Sequence, residues 1–167
     1  MQHTTSSIAF AAIDQMFKGM TGSLDKAAAH AKAAGVDETV YTSWRLAPDM
    51  FTMARQVQIA CDIAVRGFAR LAGEAPPSFP DTEKTFDQLK ARINAAHAAA
   101  KDYDRAKVDA DPDADITVPI GDNSLTLKRH QYMQNFVLPN VYFHAAAAYL
   151  NLRNAGVPLG KGDFMGR

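Results

Sequence analysis

The chain has one cysteine, Cys61, and one tryptophan, Trp44, in 167 residues, and neither sign of charge is in surplus, with 18 Lys and Arg against 18 Asp and Glu. A lone cysteine excludes an internal disulfide. Its neighbours Ala60, Ile63 and Ala64 read as the surroundings of a small buried hydrophobe, so a reducing cytoplasm is the expected setting. A net charge of zero offers no basic surface to phosphate backbones or anionic lipids, so nucleic acid and membrane surfaces are not expected partners. No run approaches the ~20 consecutive apolar residues of a membrane span. The first five residues lack the charged leader and apolar stretch of a signal peptide. Covalent catalysis has no visible basis: Cys61 has no neighbouring base, no serine sits in a Gly-x-Ser-x-Gly elbow, and Gly160-Lys161-Gly162 is too isolated for a phosphate loop.

What the sequence does contain is helical periodicity. Ile13, Phe17, Met20, Leu24, Ala27, Ala31 and Ala34 recur at steps of three and four, laying one apolar stripe along a first helix. Thr5, Ser6 or Ser7 is the expected cap and Gly35 the stop. A second stripe, Met50, Met53, Val57, Cys61, Ala64, Phe68 and Leu71, runs from a Pro48-Asp49 start to Gly73. The mixed pattern over 37–46 between them suits a short helical connector. Pro76, Pro77 and Pro80 make 74–80 a rigid connection. Asp81 or Thr82 is then expected to cap a third helix carrying Phe86, Leu89, Ile93, Ala96, Ala100 and Tyr103. The acidic run over 109–115 ends helical character. Alternating Ile116, Val118 and Ile120, a polar turn over 121–124, then Leu125 and Leu127 predict a small β-hairpin, with Pro119 restricted to an edge strand. A fourth helix starts near His130, carries Phe136, Phe143, Ala147 and Leu150 to Asn154, and stops at Gly156. The pattern predicts an all-α protein, a four-helix bundle in one domain over 1–167, with a short connector and a hairpin before the last helix.

Candidate site residues gather on the last helix. Asn140 and His144 lie one turn apart on one face, the spacing a metal or ligand site on a helix needs. A pair of first-row metal ligands at that spacing would be two histidines, and here the first is asparagine. His144 therefore reads either as a ligand or as a core histidine bonded to a backbone carbonyl. Pro139, inside the helix, frees the carbonyl of Asn135 and is expected to kink the axis one turn before His144. His97, in the third stripe, is a second candidate metal ligand. Gln56 and Gln58 flank the second stripe on opposite sides, so one is expected to face a cavity and the other solvent or a neighbouring helix. Arg55, Asp62 and Arg66 read as a surface ion-pair ladder. Alanine clusters at 95–100 and 145–148 bring helices close or leave room for a ligand.

The runs Arg45-Leu46-Ala47-Pro48-Asp49-Met50-Phe51, Ala54-Arg55-Gln56-Val57-Gln58-Ile59-Ala60, Leu138-Pro139-Asn140 with Phe143-His144, Leu152-Arg153 and Gly156-Val157-Pro158-Leu159-Gly160 resemble the bacterial family called domain of unknown function 1993. The similarity covers almost the whole chain. That family in turn resembles the DinB-like and YfiT-like superfamily of four-helix-bundle metalloenzymes, whose members include metal-dependent thiol transferases and a mycothiol-dependent maleylpyruvate isomerase. Such enzymes hold a divalent metal with one histidine from the second helix and two from a His-x-x-x-His on the last. Carried over, the resemblance puts His144 in the place of the last histidine, Asn140 in that of the preceding one, and Gln56 or Gln58 where the second-helix histidine belongs. It thus implies a site position whose metal ligands have mostly been replaced. The expectation is a pocket lined by Asn140, His144, Gln56 and Gln58 that binds a small molecule or a partner without a tightly bound metal. At most, a zinc or nickel ion would be held weakly through His144 or His97. The alternative is a metal- or thiol-dependent transferase or isomerase using His144. A homodimer is a further expectation, with Phe164-Met165 in the tail as a contact.

Overall fold

The structure, a computed structural model, describes residues 3–167. Four long helices carry it: α1 (Thr5–Ala34), α3 (Met53–Ala72), α4 (Phe86–Asp102) and α7 (Leu138–Asn154), with short α2 (Glu38–Thr42), α5 (Arg105–Val108), α6 (Arg129–Gln131) and α8 (Lys161–Phe164) between or after them. Each long helix packs against two others, in the order α1–α4–α3–α7 around the bundle, so α1 and α3 form one diagonal and α4 and α7 the other. The apolar stripes read from the sequence meet inside: Ile13, Phe17, Leu24, Val57, Cys61, Phe68, Phe86, Leu89 and Ile93 are all buried. Cys61 is sealed, and burial pushes its thiol pKa far up, which leaves it inert.

Helix ends follow their caps more closely than the apolar pattern does. Thr4, not Thr5, Ser6 or Ser7, caps α1 in a capping box with Ser7, and Gly35 ends it in the left-handed conformation at φ 65°. Helix α3 starts at Met53 behind a Thr52 cap, three residues after the expected start, because Met50 is held in a turn by the Ala47 carbonyl. Helix α4 is capped by Thr85 and not by Asp81 or Thr82. Its first turn also receives Glu38, whose carboxylate accepts from the Phe86 amide at 2.8 Å and joins α2 to α4 at a helix N-terminus that favours negative charge.

The chain after α4 holds α5, then an antiparallel hairpin of β1 (Asp115–Ile120) and β2 (Asn123–Lys128), in which Ile120 pairs with Asn123 and Gly121 takes φ 55° at the turn. Pro119 lies opposite Ser124 in this two-stranded sheet, where every strand is an edge. From α6 the chain passes through a π-helical segment over Tyr132–Val137 directly into α7. Pro139 supplies no N–H to the preceding turn, and the widening sits just before it. The expected inner face of this helix is corrected here. Phe143 is 60% exposed and Leu150 48%, while Val141, His144, Ala145, Ala148, Asn151 and Leu152 turn inward. Apolar side chains surround α7 on nearly all sides, so periodicity does not select a face; the small side chains do, because they allow close approach. Among the described residues no helix is long and apolar enough to cross a membrane.

Candidate functional site

Antiparallel packing of α3 on α7 sets Gln56 opposite His144. Gln56 Oε1 lies 2.6 Å from His144 Nδ1, and Gln56 Nε2 lies 3.5 Å from the Phe51 carbonyl oxygen. The carbonyl fixes which way round the amide sits, so Nδ1 carries the proton and donates to Oε1. His144 Nε2 then holds a lone pair. It has no hydrogen-bond partner among the described residues and, unlike Nε2 of His97, it is not sealed from solvent. Burial, followed by the nearby positive charge of Arg55, lowers the His144 pKa, so the ring is neutral at physiological pH. The residue as a whole is 9% exposed, at the rim of the core, with Phe143 standing edge-on to its ring at 5.2 Å between centroids.

The other expected members do not converge on this pair. Asn140 turns its amide back along the helix, Nδ2 donating to the Phe136 carbonyl at 2.7 Å, which satisfies a backbone group of the π segment. Gln58 leaves α3 on the opposite side and donates to Glu83 at 2.8 Å, while its Oε1 accepts from Arg55 at 3.3 Å. His97 is remote from His144. It stacks on Phe10 at 5.4 Å, and its Nε2 comes within 2.8 Å of Asp14 Oδ1 without the alignment of a hydrogen bond. In the tail, Phe164 packs edge-on against Tyr149 at 5.7 Å.

Gln58 belongs to a second polar centre that periodicity concealed. Arg92, whose side chain is 1% exposed, reaches Asp62 at 2.5 Å, Glu83 at 3.1 Å and Asp81 at 3.3 Å, and donates to the Pro80 carbonyl at 3.2 Å. Its guanidinium lies 4.6 Å over the ring of Phe79. Arg55 pairs with Asp81 as well, so the ladder expected on the surface is the outer edge of a buried network that clamps the proline-rich connection onto α3 and α4. Burial opposes the Arg92 charge, but the hydrogen bond and charge of Asp62, with Glu83, outweigh it and raise its pKa. Arg92 stands three residues after Leu89 and four before Ala96, which places it on the buried face; its charge alone argued for the outside. Beside the network opens a cleft of about 430 Å³ lined by Arg45, Phe51, Thr52, Arg55, Gln58, Asp81 and Glu83. Phe51 and Arg55 connect it to the His144–Gln56 pair.

Residues 6–165 match the family model described as Domain of unknown function (DUF1993). The chain belongs to this family. Over 95% of its length and 89% of the other's, the DUF1993 chain is also similar to a crystal structure of a DinB family member protein from Shewanella denitrificans, at 35% sequence identity and a TM-score of 0.86. Comparison with the curated proteins gives no match.

Resemblance to the DinB-like metalloenzymes raises a divalent metal, and the donors at His144 do not fit one. Of the three positions, one offers a free imidazole nitrogen, Gln56 is bonded to that same imidazole, and Asn140 is committed to Phe136. Amide oxygens are poor zinc or nickel ligands beside imidazole, thiolate and carboxylate. Among the described residues no group of three or more His, Cys, Asp or Glu is placed to hold an ion.

Proposed function

We propose that this DUF1993 protein binds a small polar molecule without a tightly held metal, in the cleft beside the His144–Gln56 pair. The observation that carries the reading is the 2.6 Å bond between Gln56 Oε1 and His144 Nδ1, which joins two of the three would-be ligands to each other. In the adjoining cleft Arg45 and Arg55 supply guanidinium groups, Arg55 shared with the Asp81 carboxylate, Gln58 an amide already bonded to Glu83 and Arg55, and Phe51 an apolar wall. That combination suits a ligand with a carboxylate or similar anionic group next to a flat apolar portion. His144 Nε2 supplies a neutral acceptor nearby. Benzoate and phenylacetate are suitable probes. The expected result is a saturable rise in melting temperature that is lost in Arg55→Met and weakened in Arg45→Met and Gln58→Leu. A rise indifferent to all three substitutions places the ligand elsewhere and overturns the reading.

A second reading is favoured by one feature, the unpartnered and solvent-reachable Nε2 of a neutral His144. Such a nitrogen acts as a general base or as a single metal ligand in a transferase or isomerase. Stoichiometric zinc or nickel in protein purified without an affinity tag, lost in His144→Ala, would establish this reading over the first.

A further inference from the structure

Between α1, α3 and α7 lies a small apolar void, distinct from the polar cleft. Its walls include Gly19, Met20, Ser23, Met53, Ala145 and Ala148, and Phe164 of α8 lies across it. As it stands the void has about 10 Å³ of free space, room for roughly one water. Two features make it more than a packing fault. Ser23 is 3% exposed and its Oγ is sealed from solvent with no hydrogen-bond partner among the described residues. A helical serine ordinarily satisfies its hydroxyl on a carbonyl of the preceding turn, and an unpaired buried hydroxyl is costly. On the far side of Phe164, an outer apolar groove of about 240 Å³ is lined by Ala146, Tyr149, Leu150 and Lys161. Tyr149 and Phe164 line both spaces, and of the two only Phe164 is borne on a short terminal helix.

The segment bearing that ring is docked rather than woven in. A β-carbon on Gly19 would collide with the Phe164 carbonyl, so only glycine lets α8 lie this close to α1. Gly166 turns the chain at φ 68°, and the polar ties to α1 are Lys26 Nζ–Asp163 at 2.6 Å and Gln15 Nε2 to the Met165 carbonyl at 3.3 Å.

We infer that Phe164 is the removable stopper of an internal site for a small, mainly apolar molecule carrying one hydrogen-bonding group, which replaces the ring and pairs with Ser23 Oγ. The inference is independent of the polar cleft. Phenol and toluene are the probes, and the methyl resonances of Met20 and Met53, followed in the intact chain, are the readout. Phenol should shift both methyls saturably, and Ser23→Ala should weaken phenol roughly fivefold while leaving toluene unchanged. Gly19→Ala, which pushes α8 outward, should speed exchange of both probes. Methyls indifferent to both probes, or a long-lived water at Ser23 that phenol never displaces, would overturn the inference. So would equal weakening of phenol and toluene in Ser23→Ala. Arg55→Met should leave these shifts unaltered, which separates this test from that of the polar cleft.

Discussion

His144 combines a buried flank, a fixed proton on Nδ1 and a free Nε2, and each of these has a consequence in solution. Its pKa is lower in the fold than in the unfolded chain, where a histidine titrates near ~6.5. Below that pH the unfolded chain takes up a proton that the native state resists. Stability is therefore retained above the unfolded value and lost as pH falls from there toward the folded value. Thermal unfolding between pH 8 and pH 5 should show a steeper acid-side loss in the wild type than in His144→Gln; equal slopes would contradict the burial account. That Asn140 and His144 lie one helical turn apart was legible in the sequence, because that spacing is a geometric fact. The partner of each amide was not. Gln56, Gln58 and Asn140 are equally polar on paper, and only the packing of α3 on α7, the network at Glu83 and the π segment decide which partner each one finds. Arg92 was missed for the converse reason, since its burial is made possible by Asp62, on another helix thirty residues away, and by Glu83, in the connection before α4.

At the level of elements, the proline-rich connection is held by charge together with Phe79, which packs against the core. Arg92→Met leaves Asp62 and Glu83 without their buried cation and should cost about 3–5 kcal/mol in chemical denaturation. Arg66→Ala removes a pair 3.7 Å apart whose arginine is largely exposed, and should cost under ~1 kcal/mol. Similar losses for the two would mean that the Arg92 network is not the clamp described. The π segment makes its own demand. A β-carbon on Gly67 would come within 2.7 Å of Val137 Cγ1, so Gly67→Ala should destabilise by ~1–3 kcal/mol, with recovery in the double variant Gly67→Ala, Val137→Ala. The stripes of α1, α3 and α4 could be read directly because each has one apolar face. Their ends could not, since Asp81, Thr82 and Thr85 are all plausible caps until the carboxylate of Asp81 is seen bound to Arg55 and Arg92. The inward face of α7 was hidden by its apolar outer side, Phe143 and Leu150.

For the whole molecule, the diagonal arrangement divides the available chemistry. The polar cleft opens beside α3 and the proline-rich connection, the small apolar void lies among α1, α3 and α7, and a broader groove of about 570 Å³ runs along α1, α4 and the last residues. His144 and Gln56 stand at the α3–α7 seam, where DinB-like metalloenzymes are expected to place an ion and this DUF1993 chain places a hydrogen bond. Elemental analysis of untagged protein, with and without His144→Ala, tests that difference most directly. The account predicts well under one zinc or nickel per chain in the wild type, unchanged by the substitution. One metal per chain that disappears in His144→Ala would contradict it.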